Sequence, residues 1–532
     1  MARNWRPLLL IGGIVLLGTL AGGLFGPGLP GVAAASGEDE IKRSLKTFTT
    51  IYDVVERNFA DRLDPDTAIY NGAIPGMLRS LDPHSSFFDP REFQLLREDQ
   101  KGHYYGVGMW VAGRGGKTVV IMPFTGSPAY KAGIRPGDVI LEVDGKSTEG
   151  MNTNQVADML KGPKGTPVKV TIGREGTPDP LVFDIIRDEI ARKSVSEAFY
   201  LRDGIAYVSI EQFNENTSQE VEEALAKLGE ERIQGMILDL RQNPGGLLNE
   251  GVAVAGRFLR KGQVVVKHRG RTSPEKPYPA RRGNGGKEYP MVVLVDRYSA
   301  SAAEIVAGAL QDHDRAWILG ENTFGKGLVQ TVYPLSENTG LALTTARYYT
   351  PSGRLIQRDY ANKSFFDYYY RKDLDGKNPL DVKMTDSGRT VYGGGGIAPD
   401  EKFTDPPAND FQRKLNRRFA FFNFTAKYFG NHSTKLPKDW VPDQNVLEEF
   451  RGFLVNEGIE YAEAEFTENL EWIRRQLRQQ MYITAFSVDE SRRMMIETDP
   501  AVLKAVESLP KAQRLLENAR KVLAQRNSPG GE

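Results

Sequence analysis

The sequence that decides the fold is MVVLVDRYSASAAEI, residues 291–305, which combines a strand, a tight turn and the start of a helix. The first five residues are all apolar, and such a run is typical of a strand buried on both faces of a sheet. Small residues then turn the chain, and we expect a helix to begin at Ser301. The stretch predicts one strand–turn–helix unit of a layered α/β fold.

Strands and helices alternate on both sides of this unit. Apolar runs at 205–210 and 235–240 predict two more strands, and helical spacing predicts helices near 219–228 and 247–259. Alternation of this kind predicts α/β layering around a mostly buried sheet. We assign this α/β core to residues 191–405.

With 532 residues the chain is too long for a single core, and four more regions are predicted around this one. Residues 101–190 contain short strands separated by glycine- and proline-containing turns, with one helix, which predicts a small β-rich module. Residues 37–100 and 406–532 have mainly helical spacing and form helical N- and C-terminal segments. Residues 1–36 differ from all of these.

The first 36 residues have the pattern of a secretory signal peptide. Arg3 and Arg6 precede an apolar run from Leu8 to Phe25, and Ala33-Ala34-Ala35 supplies the small residues of a cleavage site. The alternative is an uncleaved membrane anchor, although the run is near the lower length limit for a span and contains several glycines. Either interpretation predicts that the rest of the chain is exported.

Composition excludes some chemistry. The 69 basic and 69 acidic residues cancel, so the net charge gives no indication of a nucleic-acid partner. The chain has no cysteine, which excludes disulfides, thiolate nucleophiles and cysteine-ligated metals. We expect neither a cofactor nor a metal.

Ser301 is the candidate nucleophile. It lies on a predicted turn beside the free N-terminal amides of a helix, and those N–H groups and the helix dipole favour a developing oxyanion. The alternative is that Ser301 only caps the helix, a role for which serine is also favoured. Because a serine hydroxyl is weakly nucleophilic near neutral pH, the choice depends on a suitable base.

Lys326 is the candidate base. Gly325 and Gly327 flank it and let the backbone approach another element closely. Burial disfavours the ammonium form, so a buried Lys326 has the lowered pKa that a base needs. Gln330 offers an amide that orients the amine. The alternatives are a solvated loop lysine and a Ser-His-Asp triad that uses one of the five histidines, of which His313 is nearest to the serine in sequence.

A turn that ends in two glycines supplies a candidate for part of an oxyanion hole. Gly245 and Gly246 follow Asn243 and Pro244, between a predicted strand and a predicted helix. One of the two glycines can present its backbone N–H to the serine. The alternative is an ordinary strand-to-helix turn.

Taken in order, several motifs resemble those of the carboxyl-terminal processing peptidases, which are tail-specific Ser-Lys proteases with an embedded PDZ domain. The match covers nearly the whole chain. One departure is Ala303, where members of the family often have serine, but it is not the nucleophile position. The matching residues are Leu81-Asp82-Pro83-His84-Ser85, Asp239-Leu240-Arg241, Asn243-Pro244-Gly245-Gly246, Ser299-Ala300-Ser301-Ala302, Glu304, Gly325-Lys326-Gly327, Gln330 and Gly396-Ile397-Ala398-Pro399-Asp400.

The resemblance implies a peptidase core of the crotonase and Clp-protease type. It implies that Ser301 attacks the scissile carbonyl, that Lys326 takes its proton and that Gln330 orients the lysine. The amide of Ala302 and one amide of the Gly245-Gly246 pair then hold the oxyanion, and water hydrolyses the acyl-enzyme. In relatives the flanking helical segments build dimers, so we expect a homodimer or a higher homo-oligomer.

Residues 101–190 resemble a PDZ domain. Consecutive backbone amides of a PDZ loop capture a chain terminus, and the bound peptide adds as a strand to the edge of the domain. Arg135, in the turn from Gly133 to Asp138, is our candidate for signalling substrate occupancy to the peptidase core. The implied carboxylate-binding loop consists of Tyr105, Gly106, Val107, Gly108 and Met109.

We therefore expect a serine endopeptidase that recognises protein C-terminal tails through a PDZ domain and cleaves peptide bonds with a Ser-Lys dyad. Its partners are expected to be protein or peptide substrates with free C-termini, together with a candidate adaptor protein. The alternative is an inactive PDZ scaffold on the same multidomain α/β fold. Export predicts a location in the periplasm or on the extracytoplasmic face of a bacterial inner membrane.

Overall fold

The computed structural model describes residues 34–361, 364–370 and 381–526. The predicted signal peptide or anchor, residues 1–36, lies almost entirely outside these ranges and stays a prediction. Within the described ranges, no helix combines the length and the apolar character needed to cross a membrane.

The described residues fall into two compact units, one that extends up to Met77 and one that begins at Leu78. The described part of the first unit is largely helical, which agrees with the helical spacing predicted there. Its elements are α1, Ala34–Asn58, a π-helical segment, Thr67–Ala73, and the start of α2, Ile74–Arg79, which ends in the second unit.

The second unit begins with a short strand, β1, Ser86–Phe88, and a capped helix, α3, Pro90–Lys101. The Asp89 carboxylate accepts the N–H of Glu92, and the Glu92 side chain accepts the N–H of Asp89 in return. This reciprocal cap satisfies two of the amides that a helix N-terminus leaves without partners. Gly102 ends the helix in the left-handed conformation that glycine favours.

A β-rich module with its own hydrophobic core follows. Its elements are β2, His103–Gly106; β3, Met109–Arg114; β4, Lys117–Pro123; α4, Pro128–Ala132; β5, Val139–Val143; β6, Lys146–Ser147; α5, Thr153–Leu160; β7, Pro167–Gly173; β8, Leu181–Ile186; and β9, Asp188–Ala191. The main sheet has the order β3-β4-β5-β7-β8, and β2 pairs with β9 separately. Val120, Ile140 and Val156 pack in one cluster that joins the sheet to α5. Because β3 lies at the edge of the sheet, only its side toward β4 is paired among the described residues, and its other side can pair with another strand.

An α/β region follows the module. Its elements are β10, Val195–Arg202; β11, Ile205–Ile210; α6, Thr217–Leu228; β12, Gly235–Asp239; α7, Leu248–Phe258; β13, Val264–Arg269; β14, Lys276–Pro279; β15, Met291–Val295; α8, Ala302–Asp312; β16, Trp317–Gly320; β17, Leu328–Pro334; β18, Gly340–Tyr349; α9, Phe365–Tyr370; β19, Val382–Met384; β20, Thr390–Tyr392; and β21, Glu401–Lys402. Single 3₁₀ turns lie at Glu230–Arg232 and Ser336–Asn338. The alternation of strands and helices predicted from the sequence is confirmed.

Two sheets organise this region. The central sheet has the order β10-β11-β12-β15-β16-β21, and its strands from β11 onward are parallel. The second sheet has the order β1-β18-β13-β14, with β17 paired to β18. In a parallel sheet all strands end at the same edge, so the turns after β12 and β15 lie side by side.

Both faces of the central sheet are covered, which explains its uninterrupted apolar strands. In β12, Met236 and Leu238 face the cluster that holds α6, α7 and α8. Ile237, between them, faces the opposite cluster, which contains Val502 and Leu509 of the last helix. Successive side chains of a strand point to opposite faces, so a sheet that is buried twice needs apolar residues throughout.

The chain ends in seven helices within the described residues: α10, Asp410–Arg417; α11, Ala420–Asn431; α12, Gln444–Asn456; α13, Glu463–Glu468; α14, Leu470–Ala485; α15, Val488–Glu497; and α16, Pro500–Arg526. Helices α10 to α14 share one aromatic-rich core that includes Phe421, Phe450 and Phe466. Helix α16 leaves this group and covers the second face of the central sheet.

Candidate active site

The candidate nucleophile lies where β15 ends and α8 begins. Ser301 precedes the helix with φ +54° and ψ −112°, a conformation that costs a non-glycine residue about 1–3 kcal/mol. The N–H of Ala300 donates to the carbonyl of Asn243 at 2.9 Å and ties this turn to the loop after β12. Strained residues of this kind cluster at active sites, where the surrounding structure holds them in place.

Two backbone amides near Ser301 have no acceptor within the described ranges: those of Ala302 and Gly246. The N–H of Gly245, in contrast, donates to Oδ1 of Asn243 at 2.8 Å. A Cβ added to Gly245 would lie 2.7 Å from Ser301 Cβ and 2.9 Å from Ala302 N. The two glycines therefore differ in what they contribute. The absence of a side chain at Gly245 leaves space beside the nucleophile, whereas the N–H of Gly246 can donate to a ligand.

One buried carboxylate joins the serine turn to the lysine loop. Oε2 of Glu304 accepts the N–H of Ser301 and the N–H of Lys326, each at 2.8 Å. Its Oε1 accepts the hydroxyl of Thr323 at 2.5 Å and the N–H of Gly325 at 2.7 Å. Full burial raises the pKa of Glu304, and these four hydrogen bonds oppose that rise. The side chain of Glu304 therefore connects the serine turn and the lysine loop by hydrogen bonds.

The ammonium group of Lys326 is half-buried and has a defined partner. Nζ donates to Oε1 of Gln330, four residues further along in β17, at 2.7 Å. Burial lowers the pKa of Lys326, and the charges of Glu304 and Asp82 act in the opposite direction. Lys326 is not the solvated loop lysine that the sequence left as an alternative.

Glu304 binds the backbone N–H groups of Ser301 and Lys326, and no hydrogen bond joins Ser301 Oγ to Lys326 Nζ among the described residues. Catalytic hydrogen bonds are often long in the free enzyme and shorten when the substrate binds. The structure thus links the serine turn to the lysine loop through Glu304 and places the Gln330 amide against the lysine amine, and the catalytic roles of the three residues stay a prediction.

The histidine alternative finds little support in the geometry. His313 follows the C-terminus of α8, and Ser301 precedes its N-terminus, so the 11-residue helix separates them by about 16 Å. His313 also hydrogen-bonds to Asp386 at 2.7 Å and to the carbonyl of Val264 at 2.8 Å. It belongs to a different part of the fold.

His84, part of the family motif at residues 81–85, contacts Gln330 of the candidate site. Its imidazole is 8% exposed, and burial together with the charge of Lys326 lowers its pKa to about 4. Its carbonyl accepts a hydrogen bond from Nε2 of Gln330. The sequence carried one signal for this proximity, the match of residues 81–85 to a family motif, but spacing alone gave no reason to join it to Gln330.

The predicted carboxylate-binding loop, residues 105–109, connects β2 to β3. The carbonyl of Val107 accepts the N–H of Ala129 at 2.8 Å, and the carbonyl of Gly108 accepts the hydroxyl of Ser127 at 2.7 Å. The N–H groups of Val107 and Gly108 have no acceptor in the part of the chain that the structure describes. The loop therefore has fixed carbonyls and two amides that are available to a ligand.

Arg135 is exposed on the turn before β5. Its backbone N–H donates to Asp138 Oδ2 at 2.7 Å, and its guanidinium makes no hydrogen bond or ion pair with any described residue. The same turn faces the C-terminal helices, because a Cβ on Gly137 would lie 2.9 Å from Ala426 of α11. The signalling role of Arg135 stays a prediction.

Among the described residues, no group of three or more histidine, aspartate or glutamate side chains is arranged to hold a metal ion. The Ser301 turn and the Lys326 loop offer a hydroxyl, an amine, an amide and backbone N–H groups without an acceptor among the described residues. These are the components of nucleophilic acyl transfer.

Two protein-family models match this chain. The model of peptidase family S41 matches residues 204–362, and the model of the PDZ domain matches residues 125–174. These ranges contain Ser301 and Lys326 in the first case and much of the β-rich module in the second.

Individual relatives carry related names. A carboxy-terminal-processing protease of Bartonella bacilliformis is 41% identical over 324 residues, which make up 60% of this chain and 74% of that protein. The carboxy-terminal processing protease CtpB of Bacillus subtilis is 32% identical over 359 residues, or 66% of this chain and 74% of that protein. A solved structure, the photosystem II D1 C-terminal processing protease, is 29% identical with a TM-score of 0.36, covering 67% of this chain and 86% of that one.

Fold and site together define a serine peptidase of the S41 fold that carries a PDZ domain. The chain belongs to the carboxy-terminal processing protease family. The predicted fold class, family and class of enzyme are confirmed.

Proposed function

We propose that this peptidase is an endopeptidase that cleaves with Ser301 as nucleophile and Lys326 as general base. The observation that carries the proposal is the Lys326–Gln330 hydrogen bond, on a loop that Glu304 joins to the serine turn. The lowered pKa of Lys326 supports it, because a lysine accepts a proton only when its amine is neutral.

The reaction follows from these positions. Ser301 Oγ attacks the scissile carbonyl carbon, and its proton passes to the neutral amine of Lys326. The carbonyl oxygen becomes an oxyanion that accepts hydrogen bonds from the N–H groups of Ala302 and Gly246. Lys326 then gives the proton to the leaving amine, the peptide bond breaks and an ester to Ser301 remains. Lys326 takes a proton from water, the resulting hydroxide attacks the ester carbonyl, and the bond to Ser301 Oγ breaks as Lys326 returns the proton to that oxygen.

Tail recognition is proposed for the PDZ domain. A free carboxylate accepts hydrogen bonds from the unclaimed N–H groups of Val107 and Gly108, and the peptide pairs with the free edge of β3. Substrates are thus proteins or peptides with free C-terminal carboxylates. The proposal assigns recognition of the terminal carboxylate to the backbone N–H groups of Val107 and Gly108.

The setting of the enzyme is part of the same proposal. The pattern of residues 1–36 favours export to the periplasm or to the outer face of a bacterial inner membrane. Homo-oligomerisation through the flanking helices, and an adaptor that delivers substrate, are proposed from the family resemblance. Sedimentation of the full chain measures the first, and copurification with a tagged full chain from its envelope fraction tests the second.

The catalytic assignment is tested by single substitutions in the full chain. We expect Ser301→Ala and Lys326→Ala to abolish cleavage of a dye-labelled unfolded protein, and His313→Ala to retain it. All three variants must show the parent's circular dichroism spectrum. Cleavage that survives Lys326→Ala but is lost in His313→Ala would contradict the dyad.

Tail reading is tested on the substrate instead of the enzyme. The same unfolded protein is prepared with a free and with an amidated C-terminus, so that only the carboxylate differs. We expect amidation to raise KM or to lower the cleavage rate. Equal kinetics for both forms would rule out recognition of the carboxylate.

A further inference from the structure

The amide of Gln330 has two orientations that differ only by exchange of oxygen and nitrogen, and only one suits the proposed base. A neutral lysine amine has two N–H bonds and one lone pair. In the structure Gln330 Oε1 accepts one N–H of Lys326 at 2.7 Å and leaves the lone pair available. In the reversed orientation Nε2 would donate to that lone pair and occupy it.

The carbonyl of His84 determines which orientation is present. It accepts a hydrogen bond from Nε2 of Gln330. Because a carbonyl oxygen cannot donate, only the NH₂ end of the amide can face it, and Oε1 must face the lysine. The contact comes from a distant part of the sequence, since His84 lies in the turn before β1.

The turn that presents this carbonyl is rigid. Oδ1 of Asp82 accepts the N–H groups of His84 and Ser85, each at 2.8 Å, and Oδ2 accepts the hydroxyl of Ser85 at 2.8 Å. The Ser85 hydroxyl in turn accepts the N–H of Thr344 at 3.2 Å, which anchors the turn to β18. All three side chains of the turn are more than nine-tenths buried.

The imidazole of His84 is clamped on both sides by helix α9. Nε2 is 2.8 Å from the hydroxyl of Tyr368, and Nδ1 is 3.3 Å from the hydroxyl of Tyr369. The Tyr369 hydroxyl donates its one proton to the carbonyl of Pro83 at 3.1 Å, so Nδ1 of His84 carries a proton and donates to that hydroxyl. In the neutral imidazole Nε2 is then the acceptor, and it accepts the proton of the Tyr368 hydroxyl, which also accepts a hydrogen bond from Nε2 of Gln357 at 3.1 Å.

We propose that His84 is a positioning residue for the Lys326–Gln330 pair. Helix α9 holds the imidazole, the held turn presents the His84 carbonyl, and this carbonyl fixes the amide that keeps the lysine lone pair free. The inference rests on the proposed Ser-Lys mechanism and adds to it a part of the chain that contacts no reacting atom.

Tyr368→Phe tests the clamp in the full chain, because it removes one hydroxyl and keeps the ring. Tyr370→Phe is the matched control, since it lies on the same helix with its ring 61% exposed. With a dye-labelled unfolded protein, we expect Tyr368→Phe to lower kcat about tenfold, as loss of an orienting partner does, and to change KM by less than about twofold. Tyr370→Phe keeps both constants.

The pH profile of kcat separates positioning from simple destabilisation. In Tyr368→Phe the Lys326 ammonium loses part of its hydrogen bond to Gln330, so its pKa falls and the acid limb moves to lower pH. A purely structural role instead lowers the amount of active enzyme, seen as a lower unfolding midpoint, and leaves the limb in place. His84→Ala, expected to lower kcat about a hundredfold, is measured alongside.

The outcomes are distinct. A Tyr368→Phe enzyme with the parent's kcat and acid limb, or with a kcat that falls only as folded protein is lost, overturns the inference even if His84→Ala does not fold. Activity in Lys326→Ala overturns the proposed dyad and this inference together. An inactive Lys326→Ala beside a parent-like Tyr368→Phe overturns the inference alone.

Discussion

Gly245 lies so close to the nucleophile that one added methyl group is predicted to stop catalysis. Its φ is +94°, and a Cβ built there would lie 2.6 Å from Ala300 O, 2.7 Å from Ser301 Cβ and 2.9 Å from Ala302 N. A bound oxyanion lies about 2.7–3.1 Å from its N–H donor. The methyl group of Gly245→Ala therefore occupies the place that the oxyanion needs beside Ala302.

The magnitude has two parts that a control can separate. Left-handed backbone costs an alanine about 1–2 kcal/mol of stability wherever it occurs. Blocking one oxyanion donor lowers kcat by about 10²–10³-fold, or about 2.7–4 kcal/mol of transition-state stabilisation. Gly262 has φ +89° and no atom within 4 Å of an added Cβ, so Gly262→Ala has the backbone cost without the obstruction.

Both variants are measured in two assays, cleavage of a dye-labelled unfolded protein and unfolding in urea. We expect both to lose a similar free energy of unfolding from backbone strain, with a further loss in Gly245→Ala from its contacts, while only Gly245→Ala loses activity. If kcat of Gly245→Ala lies within about threefold of that of Gly262→Ala, a donor-blocking loss of the expected size is absent and the assignment of Ala302 is refuted.

Three further perturbations test buried charged groups, one in the proposed site and two elsewhere in the fold. The pKa of His313 is raised in the folded protein, so its contribution to stability is complete below the unfolded pKa of about 6.5 and is lost as the pH rises through the folded pKa. The free energy of unfolding, measured by urea titrations from pH 5 to 9, should therefore fall with rising pH. This fall should disappear in His313→Gln. The pKa of Lys326 is lowered in the folded protein, so this lysine destabilises the native state at pH values below the unfolded lysine pKa. Lys326→Met should therefore raise the midpoint of thermal unfolding at pH 7 while it removes activity. An unchanged or lower midpoint contradicts the direction of the pKa shift. Arg241 joins the end of β12 to Asp499 at the start of α16, and Arg241→Met should cost about 3–5 kcal/mol in urea unfolding, against less than about 1 kcal/mol for the exposed Arg413→Gln.

The central sheet could be predicted from local sequence because its physical cause is local. A strand buried on both faces must be apolar at successive positions, and residues 291–295 and 235–238 meet that requirement directly. The strand–turn–helix pattern likewise predicted a serine at the N-terminus of α8. The helix begins at Ala302, one residue later than predicted, because Ser301 adopts a positive φ that no sequence pattern announces.

Predicting Ser301 and Lys326 as a catalytic pair required more than the local sequence pattern around each residue. Ser301 and Lys326 each had an ordinary alternative, and their residue types became persuasive only through the ordered set of family motifs. Even then the sequence left the oxyanion glycine undecided. Tertiary hydrogen bonding favours Gly246 as the proposed donor, because Asn243 accepts the N–H of Gly245, whereas the N–H of Gly246 has no acceptor among the described residues.

By itself, the sequence determined the layered α/β core, the β-rich module, the family and the residue types of the proposed dyad. Only the tertiary structure placed Glu304 between the serine and lysine segments and His84 against Gln330. The physical reason is how far apart in the sequence the interacting residues lie. Strand and helix patterns arise from neighbours a few residues apart, whereas a buried carboxylate or carbonyl finds its donors wherever folding brings them, here across 246 positions between His84 and Gln330.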